Sequence, residues 1–268
     1  MTARGLAGIW GGGVRPLVGM IHLPALPGAP GFAGSMERVL ERATKDARSL
    51  DEAGFDGLLV ENYGDVPFFR GRVPSETVAA ITAAVVAIRG ASRLPVGVNV
   101  LRNDPVSAVG IAAATGARFV RANVHTGSVW TDQGLIEGRA AETMRARAAL
   151  GCDVAVLADI HVKHATPPIG ARIEDAADDT WHRGREVALV VSGRSTGTET
   201  DPDAVRAIRA RVPEAAILVG SGTTVENVRD VLSVADGAIV GSALMVGGRA
   251  GAGVDPTRAR ALIDVARG

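Results

Sequence analysis

The stretch Ile217-Leu218-Val219-Gly220-Ser221-Gly222-Thr223-Thr224, with its echo Ala238-Ile239-Val240-Gly241-Ser242, decides how this chain folds. Each is a short aliphatic run that breaks at once into glycine and serine, with a helical pattern behind it. Runs of this length are too short for helices, and their unbroken apolar character fits strands buried on both faces, as in a parallel sheet. Glycines at the break let backbone N–H groups approach a ligand, and a helix start near Thr224 adds positive potential. Together Gly220, Ser221, Gly222, Gly241 and Ser242 read as a phosphate anchor, with tight strand-end turns as the plainer alternative for either motif alone.

The same unit recurs along the whole chain. Strands are expected over 17–22, 57–61, 96–101, 119–125, 154–161, 187–191, 217–220 and 238–241, each with a helical pattern behind it. In the first helix Met36, Val39, Leu40, Ala43, Ala47 and Leu50 recur at helical spacing, leaving Glu37, Arg38, Glu41, Arg42 and Lys45 for water. Pro74, Pro105, Pro202 and Pro256 sit near helix starts, where a missing N–H costs little. Strict alternation implies a parallel sheet with right-handed crossovers, and eight repeats favour a single (β/α)8 TIM barrel. An open dinucleotide-binding sheet lacks its glycine fingerprint after the first strand. The barrel is assigned to residues 15–268, preceded by a flexible segment over 1–14. The long connections 23–35, 125–135 and 162–171 all follow strands and are candidate lids.

The 268 residues carry 29 basic and 29 acidic side chains and only 3% aromatics, so neither nucleic acid nor an anionic membrane is an expected partner. Cys152 is the only cysteine, which suits a reducing compartment and reads as a small buried hydrophobe. No apolar run is long enough to span a membrane and Met1 to Gly13 does not read as a signal peptide, so a cytoplasmic location is expected, with peripheral membrane association left open. A homo-oligomer is expected.

Side chains alternate along strands, so parity predicts which ones enter the barrel. Arg121, Asn123 and His125 on the fourth strand, and Asp159, His161 and Lys163 on or past the fifth, are expected to face inward near the C-terminal end. Asn99, Glu61 and His22 occupy equivalent positions on the third, second and first strands. Charges at inward positions are costly unless paired or hydrated, so their convergence from five strands points to a functional cavity. Ser192 and Gly193, followed by Ser195-Thr196-Gly197, extend the phosphate cradle. Lys163 raises a Schiff-base option, against the commoner solvated or phosphate-bound lysine. Glu61, Asp159, His161 and His22 offer oxygen and nitrogen donors for a divalent metal, without a compact spacing signature. His161-Val162-Lys163-His164 is either an anion site or a polar loop, and Trp130 to Gly134 reads as a lid tip or a turn with one packed tryptophan.

Several strings carry a more specific likeness. Gly19-Met20-Ile21-His22-Leu23-Pro24, Val98-Asn99-Val100-Leu101-Arg102-Asn103-Asp104, Thr131-Asp132-Gln133-Gly134, Ala158-Asp159-Ile160-His161-Val162-Lys163-His164-Ala165 and Val219 to Thr224 resemble the BtpA/SgcQ family. The resemblance runs from about Leu17 to the C-terminus and implies a phosphate-binding barrel. The family takes its name from a cyanobacterial member needed for photosystem I biogenesis, and another member sits beside predicted sugar-transport and pentose-phosphate epimerase genes. The acidic stretch Glu174 to Asp179 and the Trp181-His182-Arg183 end depart from the family's smoother sixth unit.

Two functions are therefore set side by side. One is an enzyme for a small phosphorylated metabolite, a sugar phosphate or nucleotide-derived sugar. Asp159 and Glu61 supply acid/base chemistry with His22, His125 or His161, while Asn99, Asn123 and Arg121 orient the substrate. Isomerisation, aldol-type cleavage and glycosyl-bond cleavage all remain open. The other, implied by the family name, is a non-catalytic photosystem I biogenesis or assembly factor, whose natural mark is an exposed apolar patch.

Overall fold

The computed structural model describes residues 4–185, 187–193 and 199–268. Eight parallel strands close into one barrel: β1 (Leu17–His22), β2 (Gly57–Glu61), β3 (Val96–Asn99), β4 (Phe119–Ala122), β7 (Ala155–Ile160), β8 (Val187–Val191), β9 (Ile217–Val219) and β10 (Gly237–Val240). A two-stranded antiparallel hairpin, β5 (Ser128–Thr131) and β6 (Gly134–Glu137), stands outside the barrel. Helices α2 (Met36–Ala53), α3 (Ser75–Ala91), α4 (Pro105–Thr115), α5 (Ala140–Ala149), α6 (Ile173–Gly184), α7 (Pro202–Arg211), α8 (Val228–Val234) and α9 (Pro256–Arg267) follow the strands in turn. The architecture is the (β/α)8 barrel read from the alternation.

Alternation sorts the strand residues into two packed layers. Val18, Met20, Leu59, Phe119, Leu157, Val190, Leu218 and Ile239 fill the interior, while Ile21, Val60, Val98, Val120, Val156, Leu189 and Ile217 pack under the helices. Phe119 fits only because its neighbour is Gly97, where an added Cβ would stand 2.1 Å from the ring. Helix ends follow their local chemistry. Asp104, Asp201 and Asp255 each accept amide bonds ahead of a proline-led helix, and Gly54 and Gly116 close α2 and α4 in the left-handed conformation.

Residues 1–14 were expected to be a flexible segment; within it Arg4–Trp10 form a helix, α1, under the barrel. Trp10 explains it: its indole packs 5.3 Å from the Phe119 ring and donates a 2.8 Å bond to Asp56 O. Five strands stop short of the sequence reading: β3 at Asn99, β4 at Ala122, β7 at Ile160, β9 at Val219 and β10 at Val240. The expected helix start near Thr224 is also displaced. Asn227 Oδ1 accepts the Thr224 amide at 2.8 Å and its Nδ2 donates to Gly222 O at 2.9 Å, holding a loop until α8 begins at Val228. Part of the 125–135 connection is the hairpin itself, turned at Gly134 and tied to residue 166 by reciprocal backbone bonds between Trp130 and Thr166. Among the described residues no helix is long and apolar enough to cross a membrane.

Candidate functional site

Strand register places His22, Glu61, Asn99 and Arg121 side by side on β1 to β4 at the C-terminal mouth. All four are at least nine-tenths buried, as are Asn123 and Asp159 above them. Ions held out of water cost several kcal/mol apiece unless compensated, and the compensation can be traced bond by bond.

Asp159 forms a two-armed pair with Arg121, with Nε 3.0 Å and Nη2 3.0 Å from Oδ1. Asn123 Nδ2 donates to its other oxygen at 2.8 Å, and Arg121 Nη2 reaches Ser192 Oγ at 3.4 Å. Across the mouth, Asn99 Nδ2 donates to Glu61 Oε2 at 2.6 Å, and His22 Nε2 lies 3.7 Å from Glu61 Oε1. The His22 ring stacks on Tyr63 with centroids 4.4 Å apart, and its Nδ1 accepts the Gly251 amide at 3.1 Å. That bond leaves the imidazole proton on Nε2, facing Glu61.

Burial lowers the His22 imidazole to about 4, so the ring is neutral near pH 7. Burial also pushes the Glu61 carboxyl up, but the opposing fields of His22, Lys163 and Arg121 and the Asn99 hydrogen bond hold it below its ordinary value. With His22 neutral, the carboxylate at pH 7 rests on Lys163, Arg121 and Asn99. Lys163 lies three residues past β7, anchored by a 2.6 Å bond from Arg102 Nη2 to its carbonyl. Burial lowers its ammonium, with Arg121 and Arg102 adding to the effect while Glu61 and Asp159 oppose it. Among the described residues its ammonium has no salt bridge.

The glycine-serine strand ends adjoin these charges. A Cβ on Gly220 would stand 2.5 Å from Ser192 Oγ and 3.1 Å from Arg121 Nη2, and one on Gly241 would lie 3.8 Å from the His22 ring. Ser221 Oγ accepts the Gly193 amide at 3.1 Å, joining two of the strand ends. Ser242 opens a 3-10 turn, Ser242–Leu244, whose first amides have no acceptor within the turn. The remaining cradle residues, Ser195, Thr196 and Gly197, lie outside the described residues.

Two histidines expected to face inward do not. β4 ends at Ala122, so alternation no longer governs His125; its Nε2 pairs with Gly184 O at 3.0 Å against α6. His161 follows the last residue of β7 with φ of 52° and turns into a side cleft. Of the four metal-donor candidates, His161 is thereby taken away from the others, while His22 and Glu61 stay adjacent. Among the described residues no group of three His, Cys, Asp or Glu side chains is placed to hold a metal ion.

Sequence reading missed Tyr63 and Arg102 as parts of the mouth, and the Asn62–Asp65 pair in the loop after β2. Tyr63 is the chain's only tyrosine and lies two residues beyond Glu61, so extending the alternation would have pointed to it. Asn62 donates to Asp65 at 3.0 Å and accepts the Leu101 amide at 2.7 Å, a loop contact with no periodic signal.

Residues 14–268 match the profile of the BtpA family. A Pyrococcus furiosus protein is 42% identical over 93% of this chain and 94% of its own length. The photosystem I biogenesis protein BtpA of Synechocystis is 39% identical over 93% and 87%, and the sgc region protein SgcQ of Escherichia coli 34% over 84% and 84%. Among solved structures, thiamine phosphate pyrophosphorylase from Pyrococcus furiosus superposes with a TM-score of 0.59 at 14% identity, over 94% of this chain and 95% of that one. N-(5'-phosphoribosyl)anthranilate isomerase from the same organism gives 0.56 at 14%, over 94% and 99%. At such identity these structures show the barrel fold alone. The whole-length profile match and these relatives establish that the chain belongs to the BtpA family.

Proposed function

We propose that this chain is an enzyme that acts on a small phosphorylated metabolite, a sugar phosphate or nucleotide-derived sugar, at the C-terminal mouth of the barrel. One observation carries the reading: two buried carboxylates at the mouth, Asp159 and Glu61, sit in different settings, within the electrostatic reach of Lys163. Asp159 is held by an arginine and an amide, whereas Glu61 has an amide and a neutral imidazole. Carboxylates in contrasting environments divide the work of a proton-transfer site. Glu61 is the general base, His22 keeps its proton toward it, and Lys163 serves as general acid or as the amine that condenses with a substrate carbonyl. Arg121 and Asn123 position Asp159. Gly220, Ser221, Gly222, Gly241 and Ser242, with Ser192 and Gly193, hold the phosphate beside these groups. The reaction classes that fit are isomerisation, aldol-type cleavage and glycosyl-bond cleavage.

Thermal shift against a panel of phosphorylated sugars tests the reading. Ligands that bind the native state raise its melting temperature, so at least one phosphosugar stabilises the protein. Ser242→Asp, which sets a negative charge in the anchor, abolishes the response. An unresponsive wild-type protein, or an unaltered response in Ser242→Asp, overturns the proposal. Borohydride trapping with carbonyl substrates labels Lys163 only if the amine condenses.

A non-catalytic assembly role, suggested by the name of BtpA, has one observation in its favour. Trp130 on the β5 strand of the hairpin and Ile169 on the loop past Thr166, with which that strand pairs, stand exposed. Co-purification with a defined membrane-complex subunit that is lost in Trp130→Ser supports it; no such subunit retained by the wild-type protein removes it.

A further inference from the structure

A cleft of about 350 Å³ opens between the hairpin and α6, and the buried Asn123 and Asp159 are among the residues that line it. The orientation of the Asn123 amide is fixed by its neighbour. An ionised carboxylate only accepts, so the NH2 must face Asp159 and the carbonyl oxygen must face away from it. That oxygen, Oδ1, is buried without a hydrogen-bond partner among the described residues, on a residue only 3% exposed. Buried acceptors left unpaired are costly, so this one calls for a donor from a ligand. Asn99 repeats the arrangement, its NH2 on Glu61 and its Oδ1 unpartnered.

One wall of the cleft points to the same chemistry. Asp175 and Asp179, one turn apart on α6, both line it, and neither forms a salt bridge with a described residue. They belong to the acidic stretch that departs from the family pattern. Of the two arginines lining the cleft, Arg172 is engaged by Glu174 at 3.4 Å. Thr126 and Thr180 satisfy one another at 2.6 Å. The unclaimed groups lining the cleft are therefore dominated by acceptors.

We infer that this cleft is a subsite for the polyhydroxylated part of the substrate, a glycosyl or pentosyl group whose hydroxyls donate to Asn123 Oδ1 and to Asp175 and Asp179. The inference rests on the proposed phosphometabolite reading and adds the specificity-determining residues to it.

Isothermal titration with ribose 5-phosphate, 2-deoxyribose 5-phosphate, 3-phosphoglycerate, inorganic phosphate and free ribose tests it. Wild-type protein binds ribose 5-phosphate about tenfold more tightly than the deoxy compound. In the Asp175→Ala/Asp179→Ala variant, whose surface substitutions favour helix, that preference narrows while inorganic phosphate binds unchanged. Asn123→Leu narrows it too, and the helix variant decides should the Leu protein not fold. Equal binding of the two pentose phosphates, or an unaltered preference in the helix variant, overturns the subsite and leaves the phosphate anchor standing. Tighter binding of 3-phosphoglycerate than of ribose 5-phosphate also overturns it, marking the cleft as an anion site at Arg183. Ribose binding without phosphate binding supports the subsite and removes the anchor. No binding of any compound removes both.

Discussion

His22 combines two constraints that a buried imidazole rarely escapes: it must stay uncharged, and its remaining proton must be placed. Its depressed pKa makes the first measurable. The ring titrates at about 4 in the native state against 6.5 for the ordinary group. Between those values the unfolded chain binds more protons, so stability falls as pH drops below the unfolded value and the loss is complete below the folded one. The full loss is roughly 3 kcal/mol. Urea denaturation at about pH 7 and about pH 5 is expected to show this decline, and His22→Gln to flatten it. An identical slope in the variant would refute the assignment. Asp159 poses the opposite case, since Asp159→Asn strands a buried arginine. It is expected to cost about 3–5 kcal/mol in the same assay. How far such residues could be read in advance depends on the ladder beneath them. Glu61, Asn99, Arg121 and Asp159 lie inside strands, so alternation fixes their direction. His125 and His161 lie just past strand ends, where no partner strand dictates direction, and both left the predicted face.

Elements differ in the same way. The barrel strands were legible because burial on two faces demands unbroken apolar runs, and the helices because their spacing repeats. α1 and the β5–β6 hairpin were not, since each is too short to show a period and is fixed by tertiary contacts: Trp10 beneath Phe119, and Trp130 against Thr166. Trp10→Ala is therefore expected to lower stability by about 2 kcal/mol in a denaturant titration, although it lies far from the mouth. The Asn103-Asp104 pair shows how a string that resembles a site can be scaffold. Asn103 exchanges bonds with the Val124 backbone at 2.9 Å and 3.0 Å, and Asp104 accepts from Val73, Ser107 N and Ser107 Oγ. Asp104→Ala removes the α4 cap and leaves the Val73 amide unpaired, at an expected cost of about 2–3 kcal/mol. Circular dichroism melts would show it as a lowered midpoint; an unchanged midpoint would mean that the loop rearranges to satisfy those donors.

At the scale of the whole molecule, acidic and basic residues balance, yet the mouth does not. Three cations, Arg102, Arg121 and Lys163, gather there with two carboxylates, Glu61 and Asp159, while His22 is neutral. The excess positive charge is what the proposed phosphorylated ligand calls for, and Lys163 and Arg102 are the two cations there without a salt bridge among the described residues. Lys163 is also the group whose pKa burial brings below 10.5. As pH rises through that lowered value the ammonium loses its proton, the excess vanishes, and anion affinity should weaken well before an ordinary lysine would titrate. Stability moves the other way. Between the folded and the unfolded pKa the unfolded chain binds more protons, so the native state gains as pH rises through that window. Below it, native Lys163 carries a charge whose burial is incompletely compensated. Lys163→Met removes that cost and is expected to raise stability near pH 7 by about 1 kcal/mol while abolishing turnover, the trade that functional groups commonly impose. Paired titrations of wild type and variant with a phosphosugar across this range decide the matter. Wild-type affinity should fall with rising pH and the variant's should stay low and flat; a variant that is less stable, or that keeps the wild-type pH dependence, would assign the excess charge to another group.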